Sequence, residues 1–175
     1  MKHRYEVLDV FFNEPLEEHY FREIVRKTGI SPNYVAKNLK SLESEELIYK
    51  EGKKGGLVLY SANRENLEFI RMKKAKNISL LINSGLVEAI AKALSPKAIL
   101  LFGSYATGTD TEKSDIDIAV IVHHELEKKI EISKFERLLG RKISIEQISR
   151  FPSLSKEMKN GIVNGILLYG YLEAF

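Results

Sequence analysis

Apolar positions recur every three to four residues through the first quarter of the chain and then change period. Residues 4 to 12, 18 to 28 and 32 to 44 read as three helices, and in the third Val35, Leu39 and Leu42 fall on one face. Ser31 followed by Pro32 predicts the start of that helix. A serine hydroxyl accepts a free amide hydrogen of the first turn, and proline at the first helical position gives up a bond that no residue makes there. Thr28 and Gly29 supply the preceding turn. After Leu47 the pattern becomes extended, with Leu47 to Glu51 and Leu57 to Ala62 flanking Gly52, Lys53, Lys54, Gly55 and Gly56. That is a hairpin signal. From Asn63 to about Ile82, Leu67, Ile70, Ile78 and Leu81 form a broken helical stripe, interrupted by Asn83, Ser84 and Gly85. Leu86 to Leu94 reads as a further helix that stops at Ser95, because Pro96 disfavours helix in the residue before it. Beyond it Ala98 to Phe102 and Ile116 to Val122 read as strands and Glu125 to Leu139 as a helix. Lys142 to Gln147 reads as an alternating strand, and Ile162 to Tyr169 as a helix end plus a last strand. No internal repeat is visible.

The pattern predicts an α+β chain in three parts: residues 1–62, a linking helix at 63–83, and a small mixed-sheet α/β domain at 84–175. Three helices followed by a hairpin with a basic glycine-rich tip resemble the winged helix-turn-helix fold over 1–62. In that resemblance the helix from Pro32 is the recognition helix. Asn33, Tyr34, Lys37, Asn38, Lys40 and Ser41 then face outward toward double-stranded DNA, with Lys53 and Lys54 at the wing tip. Arg22, Arg26 and Lys27 add local positive charge. The alternative is that these faces serve protein contacts or a homodimer.

Composition narrows the field. With 44% hydrophobic and 29% charged residues in 175, the chain is neither disordered nor fibrous. The absence of cysteine excludes a disulfide framework, a thiolate zinc site and a cysteine nucleophile. The longest apolar stretches run about five residues against the roughly 20 that span a bilayer. Glu6 and Asp9 also interrupt any signal-peptide core, so a cytoplasmic protein without membrane contact is expected. The net charge of +3 arises between residues 63 and 82, which hold five basic and two acidic side chains, while both flanking regions balance. A globally basic nucleic-acid binder is not implied.

The candidate chemistry lies in Leu101-Phe-Gly-Ser-Tyr-Ala-Thr-Gly-Thr-Asp-Thr-Glu-Lys-Ser-Asp-Ile-Asp-Ile-Ala-Val120. A strand running into Gly103 and Ser104 makes a tight turn whose amides approach phosphate oxygens with no side chain in the way. Asp115 and Asp117, two apart on the next strand, point to the same side and are able to hold divalent cations. His123 and His124, at the strand end beside Glu125, read as surface residues.

Gly103, Ser104, Gly108, Ser114, Asp115 and Asp117 in this order resemble the pattern of the nucleotidyltransferase superfamily of the DNA polymerase beta type, in particular its minimal nucleotidyltransferases. The resemblance covers residues 84–175. It implies that Gly103, Ser104 and Ser114 bind an NTP, and that Asp115 and Asp117 ligate two Mg²⁺ ions for in-line attack of a hydroxyl on the α-phosphate. The chain departs from the pattern at two places. Tyr105 and Thr107 stand where the family usually carries basic side chains, and Ser144 stands where active members carry a third carboxylate. Glu146, two residues on and on the same face, is the candidate substitute.

Three functional readings follow. The first is a Mg²⁺-dependent nucleotidyltransferase with Asp115, Asp117 and Glu146 as its catalytic carboxylates and an unknown acceptor. The second is a DNA-binding regulator whose degenerate C-terminal domain binds nucleotide or a partner. The resemblance implies the third, an antitoxin-like protein that modifies or masks a partner of the HEPN type.

Overall fold

The computed structural model describes residues 3–52, 56–124 and 130–172. They form two compact units, Met1–Lys73 and Lys74–Phe175.

In the first unit α1 (Arg4–Asn13) is followed by β1 (His19–Tyr20), α2 (Phe21–Thr28) and α3 (Pro32–Ser44). The strands β2 (Ile48–Gly52) and β3 (Val58–Ala62) complete it. The sheet is antiparallel in the order β1-β3-β2, with His19 opposite Tyr60 and Ile48 opposite Ala62. Val7, Leu8 and Phe11 from α1, Ile24 from α2, and Val35, Leu39 and Leu42 from α3 close on Leu47 and Ile48 in one core. Each such side chain contributes about 1.5–3 kcal/mol by leaving water. Pro32 occupies the first turn of α3, but Ser31 makes no side-chain capping bond, which corrects the expected cap. Gly29 ends α2 in the left-handed region at φ 66°, the conformation that makes glycine the usual residue after a helix. The expected helix over 18–28 begins only at Phe21, because His19 and Tyr20 pair with β3 instead.

The helix α4 (Leu67–Asn83) contributes Phe69 to this core and Leu81 to that of the second unit. The second unit continues with α5 (Leu86–Leu94), β4 (Ala98–Phe102), α6 (Gly103–Thr107), β5 (Ile116–Ile121), α7 (Ser133–Leu139), β6 (Ile143–Ile148), α8 (Lys156–Val163) and β7 (Ile166–Gly170). Its sheet runs β6-β5-β4-β7, with β5 and β6 parallel and the other pairs antiparallel. A parallel pair needs a long crossover, and α7 lies in it. Of the expected helix over 125–139, residues 125–129 lie outside the described ones, and the helix itself begins at Ser133.

Alternation along the central strands divides the sheet into two faces. Ile99, Leu101, Ile116, Ile118, Val120 and Ile143 pack with Leu86, Ile90 and Leu94 of α5 on one face. Ala98, Leu100, Ala119 and Ile148 pack with Ile162 of α8 on the other. Asp117 alternates with Ile116 and Ile118, so it stands on the second face. Among the described residues no single helix is long and apolar enough to cross a membrane.

Candidate functional site

The strand β4 passes into α6 without an intervening residue. Gly103 takes φ 73°, in the left-handed region, and a Cβ built on it would collide with Asp117 Oδ2. Only glycine fits there without strain. Antiparallel pairing sets Phe102 opposite Asp117, so the end of β4 and the acidic start of β5 are fixed side by side.

Three carboxylates share this region. Asp115 is exposed just before β5, Asp117 is half-buried, and Glu146 is exposed on β6. The Asp117 carboxyl is pushed above its ordinary range, first by burial and then by the negative charges of Asp115 and Glu146. Glu146 therefore lies within electrostatic reach of Asp117 on the same face. In the parallel register Ser144 stands beside Asp117 and Glu146 beside the small Ala119. The position paired with Asp117 thus carries a hydroxyl, and the third carboxylate lies one pleat further along.

A buried polar network that sequence spacing did not suggest anchors the loop carrying Asp115. Asp110 is 1% exposed. It accepts from Asn77 Nδ2 at 2.8 Å and pairs with the Arg141 guanidinium at 3.2 Å. Arg141 also donates to the carbonyls of Thr111 and Ser114, and Asn77 to that of Tyr105 at 3.0 Å. Asn77, Asp110 and Arg141 are too far apart in sequence for any local period to link them. Ser114, expected at the nucleotide, turns its hydroxyl to the Thr111 amide at 2.9 Å and so shapes the same loop.

Tyr105 is buried in the core, where burial first and then Asp110 push its hydroxyl up to about 12. It does not line the turn. Thr107 is exposed, with its hydroxyl on Ser104 O at 3.0 Å and on Thr109 Oγ1 at 2.8 Å. Ser104 is half-buried at the start of α6, and His123 and His124 are exposed beyond β5.

In the first unit Asn33, Tyr34, Lys37 and Lys40 are exposed on α3. Asn38 is not: it is fully buried and donates to Tyr34 O at 2.8 Å, which corrects the expectation that it faces outward. Three residues after Val35 and four before Leu42, it falls on the buried stripe itself. Lys53 and Lys54 lie outside the described residues. Lys27, expected to add local positive charge, is ion-paired with Glu14 and Glu23.

The family model described as Polymerase beta, Nucleotidyltransferase matches residues 85–173. No curated protein matches the chain.

Proposed function

The chain belongs to the polymerase beta nucleotidyltransferase family, and on that footing we propose that it transfers a nucleoside monophosphate from an NTP to a hydroxyl acceptor. The observation that carries this reading is the packing of the Gly103 turn directly on the Asp117 carboxylate, whose carboxyl is raised by burial first and then by the nearby charges of Asp115 and Glu146.

The donor set suits a hard cation, being carboxylate oxygen throughout. Mg²⁺ is typically bound by one or two carboxylates together with substrate phosphates, so a closed protein cage is not required. Asp115 and Asp117 would hold it, with Glu146 as the third acidic group. When bound, Mg²⁺ stabilises charge on the phosphoryl oxygens and the leaving pyrophosphate. The backbone of Gly103 and Ser104 admits a phosphate because position 103 carries no side chain. Glu146, exposed and acidic, would take the proton of the acceptor hydroxyl. Arg141 and Asp110 keep the Asp115 loop in place.

Residues 1–62 are proposed as a winged helix-turn-helix module, residues 63–83 as its linking helix and 84–175 as the transferase domain. The exposed Asn33, Tyr34 and Lys37 on α3, with Arg22 and Arg26 on α2, support double-stranded DNA as the partner of the first module. Its affinity should fall with salt and with Lys37→Ala. Ser144 beside Asp117 favours a second reading, in which the domain binds nucleotide or a HEPN-type protein without catalysis and the chain acts as a regulator.

Incubation with each α-labelled NTP, Mg²⁺ and candidate acceptors tests the first reading. Label transfer that is lost in Asp117→Ala supports it; nucleotide binding without transfer to any acceptor supports the second.

A further inference from the structure

Away from the transferase motif, Glu14, His19 and Glu23 bring ligand atoms within 4.8 Å of one another. The three come from separate places: the end of α1, the two-residue β1, and the first turn of α2. His19 is 1% exposed, with its ring edge-on to Phe11 at 5.5 Å. Its Nδ1 lies 3.4 Å from Glu23 Oε1 and its Nε2 3.7 Å from Glu14 Oε2. The Nε2 atom is buried and has no hydrogen-bond partner among the described residues.

That arrangement asks for a cation. Two carboxylates and a ring nitrogen are three ligand atoms of the kind a divalent ion takes up, and Nε2 is the one that no donor among the described residues satisfies. Two ligands each about 2.0–2.1 Å from a tetrahedral ion stand about 3.4 Å apart. The 3.7 Å between Nε2 and Glu14 Oε2 needs a closure of only a few tenths of an ångström. At present the Lys27 ammonium bridges the two carboxylates, lying 2.8 Å from Glu23 Oε1 and also against Glu14. It leaves the cluster with one net negative charge when His19 is neutral. The Lys27 side chain is 29% exposed, so it is free to swing into water and surrender the carboxylates.

We propose that Glu14, His19 and Glu23 form a second divalent-metal site, for a borderline ion of the Zn²⁺ class, which Lys27 closes in the metal-free state. One imidazole and two carboxylates suit such an ion better than Mg²⁺ or Ca²⁺. Exchange of the ammonium for a 2+ ion neutralises both carboxylates and satisfies Nε2. Because the ligands tie the end of α1 to the start of α2, metal occupancy stiffens the junction beneath the proposed DNA-binding helices.

The test is calorimetric titration of Zn²⁺ into the full chain carrying Asp115→Ala and Asp117→Ala, which silences the other acidic site. One equivalent should bind. Glu14→Gln, at a partly exposed position, should weaken binding by about tenfold or more, and Lys27→Met should strengthen it by about tenfold. His19→Gln should abolish it, with circular dichroism checking that the buried substitution still folds. Absence of zinc uptake, or an affinity indifferent to both Glu14→Gln and Lys27→Met, overturns the proposal. So does a His19 ring that NMR shows doubly protonated at neutral pH and unmoved by zinc, since a proton would then fill the place assigned to the metal.

Discussion

Gly103 packs so closely on Asp117 that a methyl group at position 103 would overlap the Asp117 carboxylate, coming 3.3 Å from its Cγ and closer still to Oδ2. The same residue sits at φ 73°, where an L side chain is strained by about 1–2 kcal/mol. Gly103→Ala should therefore lose about 1–3 kcal/mol in urea denaturation and displace Asp117. Mg²⁺-dependent nucleotide binding should be lost under conditions where the variant is still folded. Unchanged stability together with unchanged binding would contradict the close contact.

Asp117 sets a pH-dependent cost. Its carboxyl is raised above the ordinary 3.8 by burial, Asp115 and Glu146, so the folded protein holds this proton more tightly than the unfolded chain. The stabilising contribution is complete below the unfolded value and is lost as pH rises through the folded one. At neutral pH the ionised group opposes folding. Asp117→Asn should accordingly raise the melting temperature at pH 7 in the absence of metal, and the gain should shrink as pH falls through the carboxylate range. A gain that is constant with pH would mean that ionisation of Asp117 is not its source.

Arg141 is a positioning residue. Its guanidinium is 11% exposed and faces an Asp110 that is 1% exposed, so Arg141→Met strands a buried carboxylate. The expected loss is about 3–5 kcal/mol, toward the lower end because Asn77 still donates to Asp110. Adding Asp110→Asn should recover part of it. Equilibrium denaturation of the single and double variants measures both, and a double variant no better than Arg141→Met would show that the stranded charge is not the cause.

Much of the fold is legible in the sequence because it rests on local periodicity. Leu86–Leu94 and Ala98–Phe102 have the expected bounds, since Pro96 stops one and glycine at 103 stops the other. What the sequence hides depends on distant partners. His19 and Tyr20 form a strand only because β3 lies beside them, and the residues that follow continue as helix. The Asn77, Asp110 and Arg141 network joins three elements with no motif of its own. Tyr105 reads as part of the phosphate turn but packs into the core, because successive side chains of a helix stand about 100° apart and α6 turns Tyr105 and Ala106 inward while Thr107 stays exposed. Asn38 misleads for a different reason: its polarity suggests a surface, while its spacing from Val35 and Leu42 places it inside.

Ser144 offers a gain-of-function check. Ser144→Asp sets a carboxylate beside Asp117 in the parallel register. Without metal the added repulsion should lower the melting temperature; with Mg²⁺ the variant should show a larger upward shift than the wild type, because binding to the folded state alone stabilises it. Thermal unfolding with and without Mg²⁺ reads both. An equal Mg²⁺ shift in the two proteins would place the ion away from Asp117.

We propose that Asp115, Asp117 and Glu146 together make a nucleotide and metal site. Calorimetric titration of ATP, GTP, CTP and UTP, with and without Mg²⁺, tests it most directly when run on the wild type, on Asp115→Ala/Asp117→Ala and on Glu146→Gln. Mg²⁺-dependent binding of at least one NTP is expected, disappearing in the double variant and weakening in Glu146→Gln. Binding of no nucleotide, or binding unaffected by all three substitutions, would contradict it.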